Sequence, residues 1–257
     1  MKSLNSKTIL ITGAAGGLGQ EYTKQLLNLG AHIILADINK LALEQISDRY
    51  KDTAGDIIGV VEADISSRRG CDDLYRKTRT LVTHLDILIN NAGIINYGCF
   101  WEIPSMQWES LVNINLLAPM WLSQLYLPDM VKRKSGHLVF MCSLAGLAAT
   151  SLSTPYAASK FGMRGFAMAL SGEMKERGLH TTIIYPSWVK TNLLKSTEFG
   201  SAQAKILPSF LAEDPAKVVK TSIKGIRENK LHVYPGLFAK IISQAAKFRP
   251  LVSRQLH

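Results

Sequence analysis

Six short apolar runs punctuate this chain: Thr8–Thr12, His32–Ala36, Ile57–Glu62, Ile87–Asn90, His137–Cys142 and Thr181–Tyr185. Longer stretches with helical periodicity separate them, among them Gly17–Leu29, Leu41–Tyr50, Cys71–Thr83, Met106–Met130 and Pro155–Arg177. Alternation of this kind implies βαβ units. Strands with no polar face must then be covered on both sides, as in a parallel sheet. The expectation is α/β: one doubly wound parallel sheet with helices on both faces. No linker, repeat or low-complexity stretch divides the 257 residues, so residues 1–257 are read as a single domain.

Two irregular stretches follow strands: Asn91–Pro104 and Pro186–Pro208. Ligands of open α/β sheets bind outside the carboxyl ends of the strands, where both stretches fall. The second, about 186–208, is rich in small and polar residues and is expected to act as a substrate lid.

The first strand turns into the first helix through Thr12-Gly13-Ala14-Ala15-Gly16-Gly17-Leu18-Gly19. Glycine permits a tight turn and close approach of a pyrophosphate, and the following helix aims its free N–H groups at that anion. Such a turn alone is a weak signal; at the start of a βαβ unit it is informative. Asp37 ends the second strand 18 residues after Gly19. A carboxylate there accepts hydrogen bonds from ribose hydroxyls and repels a 2′-phosphate, which favours NAD over NADP. The alternative is a helix N-cap, for which Asn39 serves as well. Lys40 nearby would weaken the discrimination.

Tyr156 and Lys160 lie four apart on one helix face, and no other of the eight tyrosines is followed by a Lys four residues on. A phenol with an ordinary pKa of about 10 is a poor base at neutral pH, and a fixed ammonium stabilises its phenolate. Ser143 follows the strand His137–Cys142, and Asn115 lies in the helix after Asn91-Ala92-Gly93. Taken singly, Asn115 could be bonded to backbone and Ser143 could cap its loop.

Together these residues resemble the classical short-chain dehydrogenase/reductase (SDR) family, with a Rossmann-type fold, from Thr8 to about Gly236. The resemblance implies a catalytic set of Asn115, Ser143, Tyr156 and Lys160. Tyr156 would exchange a proton with the substrate oxygen that Ser143 orients. Lys160 would lower the tyrosine pKa and hold the nicotinamide ribose, and Asn115 would position a water linking Lys160 to solvent. It implies cofactor contacts from Gly13, Ala15, Gly17, Leu18, Gly19, Asp37, Asp64, Ile65, Asn91, Ala92 and Gly93. Tyr156, Lys160, Pro186, Val189 and Thr191 complete that set. The family commonly has Pro-Gly after the sixth strand; here Pro186-Ser187-Trp188 stands in its place and reshapes the substrate side. Ala118 replaces the usual Gly three residues after Asn115.

The reaction implied is NAD(H)-dependent interconversion of a secondary alcohol and a ketone, with NADP the less favoured cofactor. Apolar candidate walls at Asn96–Trp101, Leu144–Thr154 and Trp188–Pro208 point to a lipophilic substrate. Alternatives are an NAD-dependent epimerase or dehydratase, a non-catalytic NAD-binding sensor, or a basic membrane or nucleic-acid adaptor. The family also suggests a homodimer or homotetramer built on Met106–Met130 and Pro155–Arg177.

Charge and cysteine usage narrow the partners. The net charge of +10 is concentrated at the C-terminal end, where Ser201–His257 holds ten Lys or Arg against three Asp or Glu. No interleaved basic and aromatic pattern for nucleic acid appears. The segment 236–257 is amphipathic: Leu237, Phe238, Ile241, Ile242, Ala245 and Phe248 share one side of a wheel. Packing against protein is the first expectation for it and peripheral contact with an anionic membrane the second. Cys71, Cys99 and Cys142 and the scattered histidines have no metal-ligand spacing, so no metal is expected. The polar start Met1–Lys7 lacks a signal-peptide core, giving a cytoplasmic expectation, peripheral to a membrane if the C-terminal segment binds one.

Overall fold

The computed structural model describes residues 3–191, 197–200 and 212–248. Its sheet has seven parallel strands: β1 (Thr8–Thr12), β2 (His32–Asp37), β3 (Asp56–Glu62), β4 (Ile87–Asn90), β5 (His137–Met141), β6 (His180–Ile184) and β7 (His232–Val233). Their order is β3-β2-β1-β4-β5-β6-β7. The chain winds outward from β1 to β3, returns to place β4 beside β1, and winds outward again. That reversal opens a crevice at the carboxyl ends of β1 and β4.

Among the described residues eight α-helices accompany the strands: α1 (Gly17–Leu27), α2 (Lys40–Arg49), α3 (Arg68–Leu81), α4 (Ser105–Val112), α5 (Ala118–Arg133), α6 (Thr154–Lys175), α7 (Pro215–Arg227) and, after β7, α8 (Leu237–Phe248). Period-two alternation sends Ile9, Ile11, Ile33 and Leu35 into a core shared with Leu26, Leu43 and Val219. Leu10, Ile34, Leu88 and Phe140 enter the opposite core, with Leu74, Leu122 and Met163. Each such side chain contributes roughly 1.5–3 kcal/mol when fully buried. The doubly wound single domain expected from the alternation is the fold observed.

Two helical expectations need correction. The stretch read as one helix, Met106–Met130, is interrupted by a single π turn at Asn113–Leu117. Pro119 explains the break. It has no N–H to donate to the Asn115 carbonyl, and the Ala118 N–H bonds five residues back to Asn113. The π turn carries Asn115, which is fully buried.

The second correction concerns α8. Its protein-facing side is Ala239, Ile242 and Ser243, whose small residues allow close packing. Leu237, Phe238 and Ile241 are instead 74%, 55% and 57% exposed. Of the expected stripe only Ile242 packs inward among the residues whose side chains are described. The side chains of Ala245 and Phe248, and most of the expected lid at 186–208, lie outside what the structure describes.

Candidate active site

The turn 12–19 is held in shape by its own neighbours. Gly13 takes φ +64°, and a Cβ there would lie 2.7 Å from the Cα of Ala92, so β1 and β4 approach each other across a glycine. Asn91 donates from Nδ2 to the carbonyls of Thr12 and Gly13 at 2.9 and 3.0 Å. Thr12 Oγ1 accepts from the amides of Asn91 and Ala92. Gln20, a residue the sequence reading passed over, donates from Nε2 to the Ala15 carbonyl at 2.8 Å.

α1 starts at Gly16 with no side-chain cap and no acid in its first turn, so its leading N–H groups face the crevice unclaimed by side chains. Asp37 accepts from the Ala15 amide (3.0 Å) through Oδ2 and from the Asn39 amide (3.1 Å) through Oδ1. Asn39 caps α2 as expected, by accepting from Ala42 N. Lys40 lies 3.8 Å from Glu44, an exposed pair within α2.

These groups line a cleft of about 290 Å3 together with Asp64, Ile65, Gly93 and Thr191. Of the expected cofactor residues, Gly13, Gly17, Leu18, Asp37, Asp64, Ile65, Asn91, Ala92, Gly93 and Thr191 all border it. A Cβ on Gly17 would meet Thr191 Cγ2 at 2.9 Å, which brings together two residues 174 positions apart. Ala15, Gly19, Tyr156, Lys160, Pro186 and Val189 are not on this lining. Ala15 takes the Asp37 and Gln20 bonds, and Gly19 packs on the turn itself. The Pro186 carbonyl accepts from Leu144 N, and Val189 pairs with Glu213. Ala36, Ile38, Ala63, Ile94 and Ile114 also line the cleft and were not anticipated.

A glycine cradle, an open helix N-terminus and a carboxylate at the end of β2 fit a dinucleotide. A larger groove of about 820 Å3 between α1 and α7, lined by Lys220, Lys224 and Arg227, lies away from this crevice.

The catalytic candidates converge from three elements. Ser143 caps the 3-10 turn Leu144–Gly146 by accepting from Ala145 N at 3.1 Å. Tyr156 and Lys160 sit on the first turns of α6, 9% and 4% exposed. Lys160 Nζ donates to the Met141 carbonyl at 2.8 Å and lies 5.5 Å from the Tyr156 ring centroid. Asn115 accepts from Ile94 N (2.9 Å) and donates to Ile94 O (2.8 Å) and Ser159 Oγ (3.3 Å). Its amide therefore clamps the strand-end loop to α6. A Cβ on Gly93 would lie 3.2 Å from Asn115 Oδ1 and 3.7 Å from Lys160 Nζ, so this loop closes over both.

Burial sets the electrostatics. It pushes the Tyr156 phenol above its ordinary value, with the Ser143 hydroxyl pulling in the opposite direction. It pushes the Lys160 ammonium down to about 8, offset in part by Cys142. The phenol is thus held protonated, ready to donate to an acceptor oxygen. Beyond it lies an apolar cluster of Ile95, Tyr97, Leu111 and Tyr156, against which Ile94, Val112, Ala145 and Trp188 pack. Tyr97, Ala145 and Trp188 fall within the walls expected from the sequence, whereas Ile94, Ile95, Leu111 and Val112 fall outside them.

A doubly wound sheet with a glycine-rich crevice at its switch point, and a buried Tyr–Lys pair beside a serine hydroxyl, defines an oxidoreductase of the nicotinamide-dependent class. Comparison with known proteins gives the family: the short chain dehydrogenases match residues 7–201, and this chain belongs to that family. It is 30% identical to human epidermal retinol dehydrogenase 2 over 253 residues, 97% of this chain and 80% of that protein. An uncharacterized oxidoreductase of Staphylococcus saprophyticus is 28% identical over 83% of this chain and 91% of its own length. Among solved structures, a short-chain dehydrogenase from Sphingobium yanoikuyae in complex with NADPH has a TM-score of 0.83 at 23% identity, covering 98% of this chain and 96% of that one. One from Burkholderia phymatum in complex with NAD scores 0.84 at 20%, covering both chains fully. The chain is an SDR oxidoreductase acting on CH–OH donors. Among the described residues no helix is long and apolar enough to cross a membrane.

Proposed function

We propose that this enzyme interconverts a lipophilic secondary alcohol and its ketone with NAD(H) as cofactor. The observation that carries the reading is Tyr156, buried with Lys160 beside the Ser143 hydroxyl and packed into an apolar cluster next to the glycine-rich crevice. A bound nicotinamide supplies or accepts the hydride. The protein's own groups do the rest. Ser143 orients the substrate oxygen and Tyr156 exchanges a proton with it. The Lys160 ammonium favours the phenolate when that proton leaves, and Asn115 holds the loop at Ile94 in place. Gly13, Gly17, Leu18 and the amides of α1 receive the pyrophosphate. Asp37, fixed by two backbone amides, receives the adenosine ribose and disfavours a 2′-phosphate. The relative's name, a retinol dehydrogenase, supports a lipophilic alcohol. Asp64 and Ile65 would meet the adenine, and Pro186, Val189 and Thr191 the nicotinamide end.

The protein is further proposed to act in the cytoplasm as a homodimer or homotetramer. The exposed Val131 on α5 and Phe161 and Met168 on α6 support such packing. The outward Leu237, Phe238 and Ile241 favour peripheral membrane contact as a second role for α8. Vesicle flotation of the full chain against a chain ending at Pro235 tests that role: equal flotation removes it.

Fluorescence titration with NADH and NADPH, followed by turnover of lipophilic alcohols and ketones, tests the main reading. Tighter NADH binding with turnover abolished in Tyr156→Phe is the expected result. Tighter NADPH binding overturns the Asp37 assignment, and folded protein that binds neither overturns the oxidoreductase mechanism proposed.

A further inference from the structure

The stretch after β6 carries a tryptophan whose chemistry the proposed reaction leaves unused. Trp188 packs on the cluster of Ile95, Tyr97, Leu111 and Tyr156, yet its indole Nε1–H is closed off from solvent and has no acceptor. A buried donor without a partner costs about 1–3 kcal/mol, so it is retained where something else fills it.

The backbone around Trp188 is fixed from the other side. Val189 bridges to Glu213, Lys190 N donates to Glu213 O, and Glu213 N donates to Trp188 O. Ser187 Oγ donates to Glu213 Oε1 at 2.6 Å. Ser187 and Val189 are thus both tied to Glu213, whereas the Trp188 ring packs on the cluster that contains Tyr156. The Ser187–Glu213 bond therefore aims the indole, and Glu213 is not the acceptor its N–H lacks.

We propose that Trp188 is a specificity-determining residue: its Nε1–H forms a hydrogen-bond subsite for a second oxygen on the substrate, remote from the reacting carbon. The ligand class is an apolar ketone or alcohol that carries an ether, carbonyl or hydroxyl oxygen elsewhere. This rests on the proposed function and deepens it.

The test is equilibrium binding of paired aryl ketones, alike except for a distal ether oxygen. The full chain is saturated with oxidised dinucleotide, so that no ketone is consumed, and binding is read by calorimetry and by tryptophan emission. The wild-type protein is expected to bind the ether member about tenfold tighter, the effect of one neutral hydrogen bond to a buried donor. In Trp188→Phe, which keeps the ring packing, the ratio falls to about one. Ser187→Ala keeps the indole but loosens its aim, and its ratio is expected near threefold, so it decides the matter if Trp188→Phe does not fold. No preference in the wild-type protein, or an undiminished preference in either variant, overturns the subsite. Turnover is measured separately with reduced dinucleotide. Ketones that bind with the expected ratio but are never reduced would count against the proposed reaction and leave the subsite standing.

Discussion

Between β1 and β4 the crevice is built around a glycine-rich stretch of main chain. Gly13, Gly17 and the opening of α1 present amides and bare Cα atoms, and Asp37 is one of the few charged side chains on that lining. From β4 across to β6 it gives way to side chains from distant parts of the chain, Tyr97, Leu111, Tyr156 and Trp188, packed into one apolar cluster. The first half recognises by leaving room and offering fixed donors. The second recognises by filling space and shifting proton affinities through burial. A backbone surface tolerates little added volume but few of its side chains matter, whereas a side-chain surface can be re-cut residue by residue. The two halves should therefore fail in different ways, and mutations that separate nucleotide affinity from turnover test whether they do.

The largest separation is expected from Tyr156→Phe, which removes the proton donor and leaves every residue of the cleft lining in place. Turnover at saturating cofactor should fall by about a thousandfold, within the usual range for a lost general acid. The NADH dissociation constant should stay within about threefold. A parallel loss of affinity would mean that the two halves are one unit. The converse experiment is Gly19→Ala, whose Cβ would overlap the Gly13 carbonyl oxygen and lie 2.7 Å from Ala14 Cα. Because those atoms are backbone, the turn must shift. NADH affinity should fall by about thirtyfold, some 2 kcal/mol, with the turnover number at saturation little changed.

A finer cut is Asp37→Ser. It removes the charge proposed to exclude a 2′-phosphate and weakens the hold on Ala15 N and Asn39 N. The NADH-to-NADPH affinity ratio should drop about tenfold, with much of the change in tighter NADPH binding. An unchanged ratio would move cofactor choice to other groups.

The same contrast explains what could be read from the chain alone. The glycine turn, Asp37 and Asn91-Ala92-Gly93 were legible because each is a short window whose conformation depends on its own residues. Thr191 was found by family spacing, but its contact with Gly17 is a product of the closed fold. Ile94, Ile95, Leu111 and Val112 were missed because an apolar residue in a helix or loop looks alike whether it faces a core or a substrate. β7, two residues long, is too short to carry a period. The π turn at Asn113–Leu117 had one local sign, Pro119, which read equally well as part of a continuing helix. α8 shows the reverse error: a wheel finds the apolar side but not which side the neighbours cover.

The smallest expected effect concerns Lys160, a buried cation of the side-chain half. Burial holds Lys160 down to about 8, against an ordinary value of 10.5. Below pH 8 both folded and unfolded chains carry the proton, and folding pays the full cost of burying the charge. Between about 8 and 10.5 the folded chain has released it while the unfolded chain still binds it, so that cost fades as pH rises. Lys160→Met should therefore be more stable than the wild-type protein at pH 7, with the gap narrowing by about 1 kcal/mol at pH 9. Denaturant midpoints at the two pH values measure this directly. A constant gap would mean that the Met141 carbonyl bond, which is lost at any pH, dominates. The ammonium would then sit in a more polar setting than the main-chain half of the crevice provides, and the distinction between the halves would lose its electrostatic part.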